Sequence, residues 1–263
     1  MICVFDVETI PDASVIRSVF GYEGSDEEVG VTAQEEFLKN NGTTFLPVCF
    51  HKIVCISAVI ADDFGKFKRV STMKGEDEKS RIAQFISFLN SHNPRLISFN
   101  GRGFDLPLIM ARAMRYNLSA HSYFEVENKE LNKSKWENYR YRYNERFHCD
   151  LLDQISDFGA IRGLKLDEIC KSVGLPGKFD TKGDEVSALF YSDSLDLIEQ
   201  YCESDVLNTY WLFLKFELLK GNLVINDYCN YLSVMNEFIK SDDKNYKEVF
   251  SKAIEDEIKG ILS

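Results

Sequence analysis

The alternation of apolar and polar stretches along the chain predicts an α/β protein. Five short segments are rich in apolar and β-branched residues and are bounded by turn residues, which is typical of buried strands. The turn residues Asp62 and Asp63, followed by Gly65, indicate that the second and third strands form a hairpin. The predicted strands lie near residues 2–6, 52–61, 66–73, 95–99 and 147–150.

Other segments repeat apolar residues every three or four positions, the spacing that places them on one face of a helix. Ile82, Phe85 and Leu89 show this spacing in one predicted helix. A long helix is expected to begin after an N-cap at Ser192 or Asp193 and to end near Lys220. The helix that contains Ile82 covers about 76–90, and the other predicted helices follow Asp105, lie near 166–173 and 186–190, and form a pair within 222–263.

Composition and charge limit the classes of function. The 263 residues are 44% hydrophobic and 28% charged, which is ordinary for one globular domain. The net charge of −11 argues against a protein that coats duplex DNA, because phosphate binders usually present a basic surface. Binding with a small footprint stays open if some of the acids hold metal ions, which attract phosphate locally.

The cysteines and the hydropathy pattern indicate a cytoplasmic protein. The seven cysteines are dispersed, no CxxC pair occurs, and several fall in apolar segments. We therefore expect reduced thiols in the protein core. No apolar run approaches the length of a membrane span, and the N-terminus lacks the pattern of a signal peptide, so no membrane partner is expected.

The first predicted strand ends in two acids, Asp6 and Glu8. Side chains alternate faces along a strand, so both carboxylates point to the same side of the sheet. Carboxylates so near to each other repel unless a cation neutralises them, and oxygen ligands suit Mg²⁺ or Mn²⁺. The alternative is a pair of acids that simply end a strand in solvent.

Later segments supply three more candidate residues. Asp105 follows a glycine-rich loop and stands where a helix begins, so it is either a metal ligand or an N-cap. Tyr201 and Asp205 are four residues apart on the long helix and share one face. An acid in that apolar helix is costly unless it is paired, so a buried salt bridge is the alternative for Asp205.

Residues 121–147 interleave cations and aromatic rings, including Lys135, Trp136, Arg142 and Tyr143. Such a segment suits stacking on unpaired bases together with phosphate contacts. A solvated loop whose aromatic residues pack back on the domain explains the same composition, and both interpretations stay open.

In combination, these motifs resemble the DEDD superfamily of 3′–5′ exonucleases. The tyrosine four residues before the last aspartate resembles its DEDDy branch, and Asn100-x-x-x-Phe104-Asp105 resembles the second exonuclease motif of family B DNA polymerases. Further segments resemble the stand-alone bacterial exonucleases related to that polymerase domain. The resemblance covers about residues 1–220, and the segments are Tyr139-x-x-Arg142-Tyr143, His148-x-Asp150-Leu151, Gly174-Leu175-Pro176-Gly177-Lys178 and Tyr201-Cys202-x-x-Asp205.

The resemblance implies a ribonuclease H-like fold, in which helices flank a central mixed sheet of about five strands. It also implies a 3′–5′ exonuclease that hydrolyses the phosphodiester bonds of single-stranded DNA and releases 5′-mononucleotides. Two divalent cations, Mg²⁺ or Mn²⁺, would be held by Asp6, Glu8, Asp105 and Asp205. Tyr201 would orient the attacking water, and the implied substrate-binding residues are Thr9, Asn100, Phe104 and Lys178.

The expected domain is residues 1–220, with an insertion at 11–51 that contains one short helix near 34–39. Residues 221–263 are expected to form a helical extension packed on the same domain. Two alternatives remain at this point: an exoribonuclease of the same fold, and a catalytically silent subunit that binds nucleic acid. The sequence does not identify a repair or replication partner.

Overall fold

A computed structural model describes residues 1–178 and 185–263. These residues contain one five-stranded sheet, whose strands are β1 (Ile2–Pro11), β2 (His51–Ala61), β3 (Phe67–Thr72), β4 (Arg95–Ser98) and β5 (His148–Asp150). The strand order is β3-β2-β1-β4-β5. β1 pairs antiparallel with β2 and parallel with β4, so the sheet is mixed, as predicted.

Helices cover both faces of the sheet. The α-helices of the described residues are α1 (Ala13–Phe20), α2 (Asp26–Asn41), α3 (Glu78–His92), α4 (Asp105–Arg115), α5 (His121–Phe124), α6 (Leu151–Ile155), α7 (Leu166–Ser172), α8 (Val186–Tyr191), α9 (Leu195–Leu219), α10 (Ile225–Lys240) and α11 (Lys247–Leu262). Apolar residues of α3 and α4 form one core with the sheet, and those of α9, α10 and α11 form the other.

The alternation along β1 places the two acids on the α9 side of the sheet. Cys3, Phe5 and Val7 belong to the core that contains α3 and α4. Ile2 and Val4 belong to the core that contains α9. Since the side chains of Asp6 and Glu8 follow the even-numbered positions, they continue this second face toward α9.

β1 is longer than the predicted strand near 2–6, because it pairs with β2 along its whole length, from Ile2 to Pro11. The pairing shifts by one residue between Glu8 and Thr9, which forms a β-bulge directly beside the two acids. The strand ends at Pro11, which has no backbone N–H to donate to a neighbouring strand.

The prediction of one short helix in the insertion was wrong. Two helices, α1 and α2, pack together around Ile16, Val29 and Leu46 and form a small core of their own. α2 begins with a capping box, in which the Ser25 side chain accepts from the Glu28 amide and the Glu28 carboxylate accepts from the Ser25 amide. This Ser-x-x-Glu spacing is a sequence signal for a helix start, whereas the apolar periodicity that we used is weak in this polar segment.

Two predicted helix caps also differ from the structure. Asp105 is the first residue of α4, and Phe104 precedes it as the N-cap without a side-chain hydrogen bond. α9 starts after Ser194 rather than after Ser192 or Asp193. For α9 the difference arises because three polar residues, at 192–194, stand in a row before the helix.

All seven cysteines are free thiols. No helix in the described parts of the chain combines the length and the apolar character that a membrane crossing requires.

Candidate active site

Asp6 and Glu8 of β1 meet Cys202 of α9. One potential ligand atom of each residue lies within 4.8 Å of the other two. The Cys202 Sγ atom lies 3.6 Å from the backbone oxygen of Asp6 and donates a weak hydrogen bond to it. Burial raises the pKa of the Cys202 thiol, so the sulfur stays protonated and packs against β1 instead of adding charge to the two acids.

The acids form a costly cluster when no cation is bound. Burial raises the pKa of Asp6 well above its usual value, and the charges of Asp105 and Asp205 raise it further. Burial, Asp6 and Asp205 raise the pKa of Glu8 in the same way. Protons or cations must therefore compensate the negative charge of this site.

On α9, Asp205 is paired with Lys178 and Tyr201. Lys178 Nζ lies 3.2 Å from Asp205 Oδ2 and donates to the Tyr201 hydroxyl oxygen, and that hydroxyl group donates to the Asp205 carboxylate. Burial raises the pKa of Tyr201, and the neighbouring charges of Asp205 and Glu8 raise it further. Tyr201 is therefore a neutral phenol that donates a hydrogen bond, and it is a poor base.

Asp105 reaches the site from the loop after β4, which runs parallel to β1 and therefore ends at the edge of the sheet where Asp6 and Glu8 lie. It is 5% exposed, and the backbone N–H of Val7 donates to its carboxylate. Burial raises the pKa of Asp105 to about 7. Within the described residues, the compact group of Asp6, Glu8 and Cys202 does not include Asp105 or Asp205, although both act on Asp6 through their charge.

The loop before Asp105 is held by Asp150 at the end of β5. The backbone N–H groups of Asn100 and Arg102 donate to the two oxygens of Asp150, each at 2.8 Å. Asn100 has a φ of 66°, in the left-handed region that asparagine tolerates. A Cβ atom on Gly101 would lie 2.5 Å from Ser98 Cβ, so the loop depends on glycine at this position.

Three rings meet next to this loop: Phe104, Phe45 and His51. The ring centroids of Phe45 and His51 each lie 5.0 Å from that of Phe104. Phe45 is 57% exposed and comes from the insertion. His51 Nε2 lies 3.0 Å from the Leu46 backbone oxygen, and His51 Nδ1 lies 2.9 Å from Thr9 Oγ1.

A carbonyl oxygen only accepts, so His51 Nε2 carries the proton and Nδ1 accepts from the Thr9 hydroxyl group. The lone pairs of Thr9 Oγ1 therefore remain available to a ligand donor. Phe45 and His51 were not predicted as site residues, because both lie in the segment 11–51, which was interpreted as an insertion without chemistry.

The donors of this site fit a hard divalent cation. Four carboxylates, from Asp6, Glu8, Asp105 and Asp205, supply oxygen ligands of the kind that Mg²⁺ and Mn²⁺ prefer. Asp205 Oδ1 is buried and has no hydrogen-bond partner in the described residues. A buried carboxylate oxygen without a partner is unfavourable in itself, and a cation would satisfy it.

The fold is similar to a domain of a known polymerase. The family B DNA polymerase from the hyperthermophilic archaeon Pyrobaculum calidifontis matches the chain with a TM-score of 0.50 and 18% sequence identity. The match covers 83% of this chain and 24% of the polymerase, so the chain corresponds to about a quarter of that protein. This likeness confirms the predicted α/β architecture of a mixed sheet between helices, consistent with a ribonuclease H-like fold.

The comparison with curated proteins found no match. A family model described as a predicted 3′-5′ exonuclease related to the exonuclease domain of PolB matches residues 43–254. The matched region contains Asp105, Tyr201 and Asp205, begins after Asp6 and Glu8, and ends within α11. Because this match spans most of the chain and agrees with the motifs, the chain belongs to the family of predicted 3′–5′ exonucleases related to the exonuclease domain of PolB.

Proposed function

We propose that this protein is a metal-dependent exonuclease that removes nucleotides from the 3′ end of single-stranded DNA and releases 5′-mononucleotides. The observation that carries the proposal is that Asp205 and Tyr201 of α9 lie near enough to the two acids on β1 to interact with their charges. Buried Asp105 acts on the same group through its charge. A buried acidic cluster that requires cations is suited to hydrolysis of a phosphodiester.

Asp6, Glu8, Asp105 and Asp205 would hold two Mg²⁺ or Mn²⁺ ions. Bound there, such ions lower the pKa of a water molecule and stabilise charge on the leaving 3′ oxygen. The protein contributes the fixed position of the carboxylates. Asp6 and Glu8 are fixed by the register of β1 on β2, and Asp205 is fixed by the packing of α9 on the sheet.

Tyr201 would orient the attacking water molecule. Its hydroxyl group is protonated, buried and directed at Asp205, so it acts as a hydrogen-bonding group. Lys178 places a positive charge beside Asp205 and Tyr201, where it could contact the phosphate of a bound substrate. The terminal nucleotide would lie against Thr9, Asn100 and Phe104, and exposed Phe45 would extend the ring surface.

A protein ring stacks on the face of a base that is not covered by a neighbouring base, and single strands expose such faces more readily than a duplex does, which supports a single-stranded substrate. The test uses 5′-labelled DNA and RNA oligomers of the same sequence, incubated with Mg²⁺, Mn²⁺ or chelator. We expect a metal-dependent ladder that shortens from the 3′ end of DNA. A ladder on RNA alone would make the protein an exoribonuclease, and no ladder with folded protein would contradict the proposal.

Tyr201→Phe tests the role of the hydroxyl group. We expect a loss of kcat of about tenfold to a thousandfold, because one oriented hydrogen bond to the reacting groups is removed. Tyr210→Phe is the matched control on the same helix, since the Tyr210 hydroxyl group donates to the Gly65 backbone oxygen at 2.7 Å, away from the acids. Unchanged kcat in Tyr201→Phe would remove this residue from the mechanism.

A further inference from the structure

Four aromatic rings form a continuous strip on the surface, and we call it the aromatic ladder: Trp136, Tyr141, Tyr143 and Phe158. The ring centroids are 5.4 Å apart between Trp136 and Tyr141, and 6.1 Å apart between Tyr141 and Tyr143. Tyr143 and Phe158 follow at 5.0 Å. Trp136 is 56% exposed and Tyr143 is 64% exposed, so large apolar faces lie open to solvent.

Not every aromatic residue of this segment is available to a ligand. The Tyr139 ring is fully buried, and its hydroxyl group donates to the Pro94 backbone oxygen at 2.7 Å. Lys133 is also buried, with its ammonium group bonded to Glu125 and to the Ser122 backbone oxygen. The packed-loop interpretation therefore holds for these two residues, whereas the ladder rings need another explanation.

The surroundings of the ladder are basic in an acidic protein. The chain carries a net charge of −11, yet residues 129–146 contain six cationic side chains and three acidic ones. Lys129, Lys135 and Arg140 form no ion pair with the part of the chain that the structure describes. An open depression of about 660 Å³ lies beside Trp136, and Lys129 and Lys135 line it.

Arg102 connects the ladder segment to the candidate active site. This residue belongs to the loop between Asn100 and Phe104, and its Nη1 atom lies 3.3 Å from both the Tyr139 and the Arg140 backbone oxygens. Asp153 lies 3.7 Å from Arg102 Nε and 2.5 Å from Arg142 Nη2. The ladder is therefore fixed against the loop that carries two of the proposed substrate-binding residues.

We propose that the aromatic ladder binds unpaired nucleotides that lie upstream of the 3′ terminus, with bases stacked on Trp136 and Tyr143 and phosphates near Lys129 and Lys135. Every base has a π face, so such stacking tolerates any sequence, and nearby cations supply the phosphate contacts. A duplex is excluded because its bases stack on each other. The position of the strand relative to its 3′ end rests on the proposed exonuclease function.

The first test measures binding without turnover. Fluorescence anisotropy in chelator compares single-stranded DNA of about 4 and about 16 nucleotides, because only the longer strand can reach from the site across the ladder. The variant is Trp136→Ala/Tyr143→Ala. We expect its affinity for the longer strand to fall about tenfold for each ring removed, and its affinity for the shorter strand to stay unchanged.

Controls separate stacking from general effects on the protein. Phe64→Ala removes another ring, 83% exposed, from the turn between β2 and β3, and it should leave binding unchanged. Trp136→Phe/Tyr143→Phe keeps two rings and should restore most of the affinity. Lys135→Gln should weaken the dependence of binding on salt concentration, because one phosphate contact is lost.

The second test measures kcat/KM for hydrolysis of the same strands with Mg²⁺. We expect Trp136→Ala/Tyr143→Ala to lose activity on the longer strand and to keep the activity of the wild type on the shorter one. If binding depends on the rings but neither the wild type nor any variant hydrolyses the strands, the ladder proposal would be supported and the exonuclease proposal contradicted. Equal binding of the longer strand by the double variant and the wild type would overturn the ladder proposal.

Discussion

Single residues decide the charge of the candidate active site. Asp6 is disfavoured in its ionised form by burial and by the charges of Asp105 and Asp205. A residue that is costly for the folded protein and is also required as a ligand should show opposite effects on stability and activity.

The first prediction concerns Asp6→Asn. We expect activity to fall by on the order of a thousandfold or more, because a metal ligand is lost. The melting temperature in chelator should stay the same or rise, because repulsion among the acids is relieved. Asp196→Asn, at an exposed position in the first turn of α9, is the control and should change neither quantity. Activity near that of the wild type in Asp6→Asn would exclude Asp6 as a ligand.

The second prediction concerns the pH dependence of stability without metal. The folded protein raises the pKa of Asp105 to about 7, whereas an unfolded aspartate titrates near 4. The folded state thus binds this proton more tightly than the unfolded state does. Proton binding therefore stabilises the folded protein fully below about pH 4, and this stabilisation is lost as the pH rises through about 7.

We therefore expect the wild type in chelator to lose stability relative to Asp105→Asn between about pH 4 and pH 7, by on the order of 4 kcal/mol at most. Thermal or urea unfolding of both proteins at several pH values measures the difference. A constant difference across this range would mean that Asp105 titrates as it does in an unfolded chain.

At the scale of elements, a buried ion network fixes α4, the helix that begins with Asp105. Arg112, two turns later, donates to Glu78 of α3 through Nε at 2.7 Å and to Asp12 through Nη1 at 2.5 Å. The Ile53 backbone N–H and the Tyr116 hydroxyl group also donate to Glu78. The network thus joins α4 to α3, to β2 and to the N-cap of α1.

The third prediction is that Arg112→Met destabilises the protein by about 3–5 kcal/mol, because it leaves two buried carboxylates without their partner. The side chains of Arg112, Asp12 and Glu78 are 7%, 5% and 2% exposed, so solvent does not compensate the loss. Arg115→Met, at an exposed position of the same helix, should change stability by less than about 0.5 kcal/mol. Urea unfolding measures the free energy of unfolding of both variants. Similar losses in the two variants would mean that Arg112 forms only a surface-type ion pair and not a structural network.

At the scale of the whole molecule, α10 and α11 complete the core on the α9 side of the sheet. Trp211 Nε1 donates to the Tyr228 hydroxyl group at 2.8 Å, and that group donates to Glu257 at 2.8 Å. Tyr246 donates to Glu203 of α9 at 3.0 Å. The proposed extension at 221–263 therefore covers fully buried residues of α9.

The fourth prediction is that a chain ending at residue 220 does not fold cooperatively. Without α10 and α11, the shortened chain would expose Tyr210, Trp211 and Phe213, which are at most 1% exposed in the structure. Near-UV circular dichroism and thermal unfolding measure the effect. A soluble 1–220 fragment with a cooperative transition would show that the two helices are accessory to the domain.

The strength of the apolar pattern explains why some elements were predicted well from the sequence and others were not. β2 and α9 have strong apolar patterns, because the core of the domain buries them, and their predicted bounds agree with the structure to within a few residues. α2 is polar and buries few residues, so its apolar pattern is weak, whereas α1 has an apolar face but is only eight residues long. Trp136 and Tyr143 belong to the segment in which the sequence already showed interleaved rings and cations, whereas Phe158 lies outside it, so only the fold shows that its ring continues the strip.

The sequence by itself determined the order of strands and helices, the shared face of Asp6 and Glu8, and the shared face of Tyr201 and Asp205, because each depends only on the local repeat of a strand or a helix. Tertiary structure decided which faces meet. Only the packing of α9 on β1 brings Cys202 and Asp205 to the acids, and only the folded insertion places Phe45 against Phe104. Contacts of this kind join residues about 60 to 200 positions apart, and they depend on the whole core rather than on any local pattern.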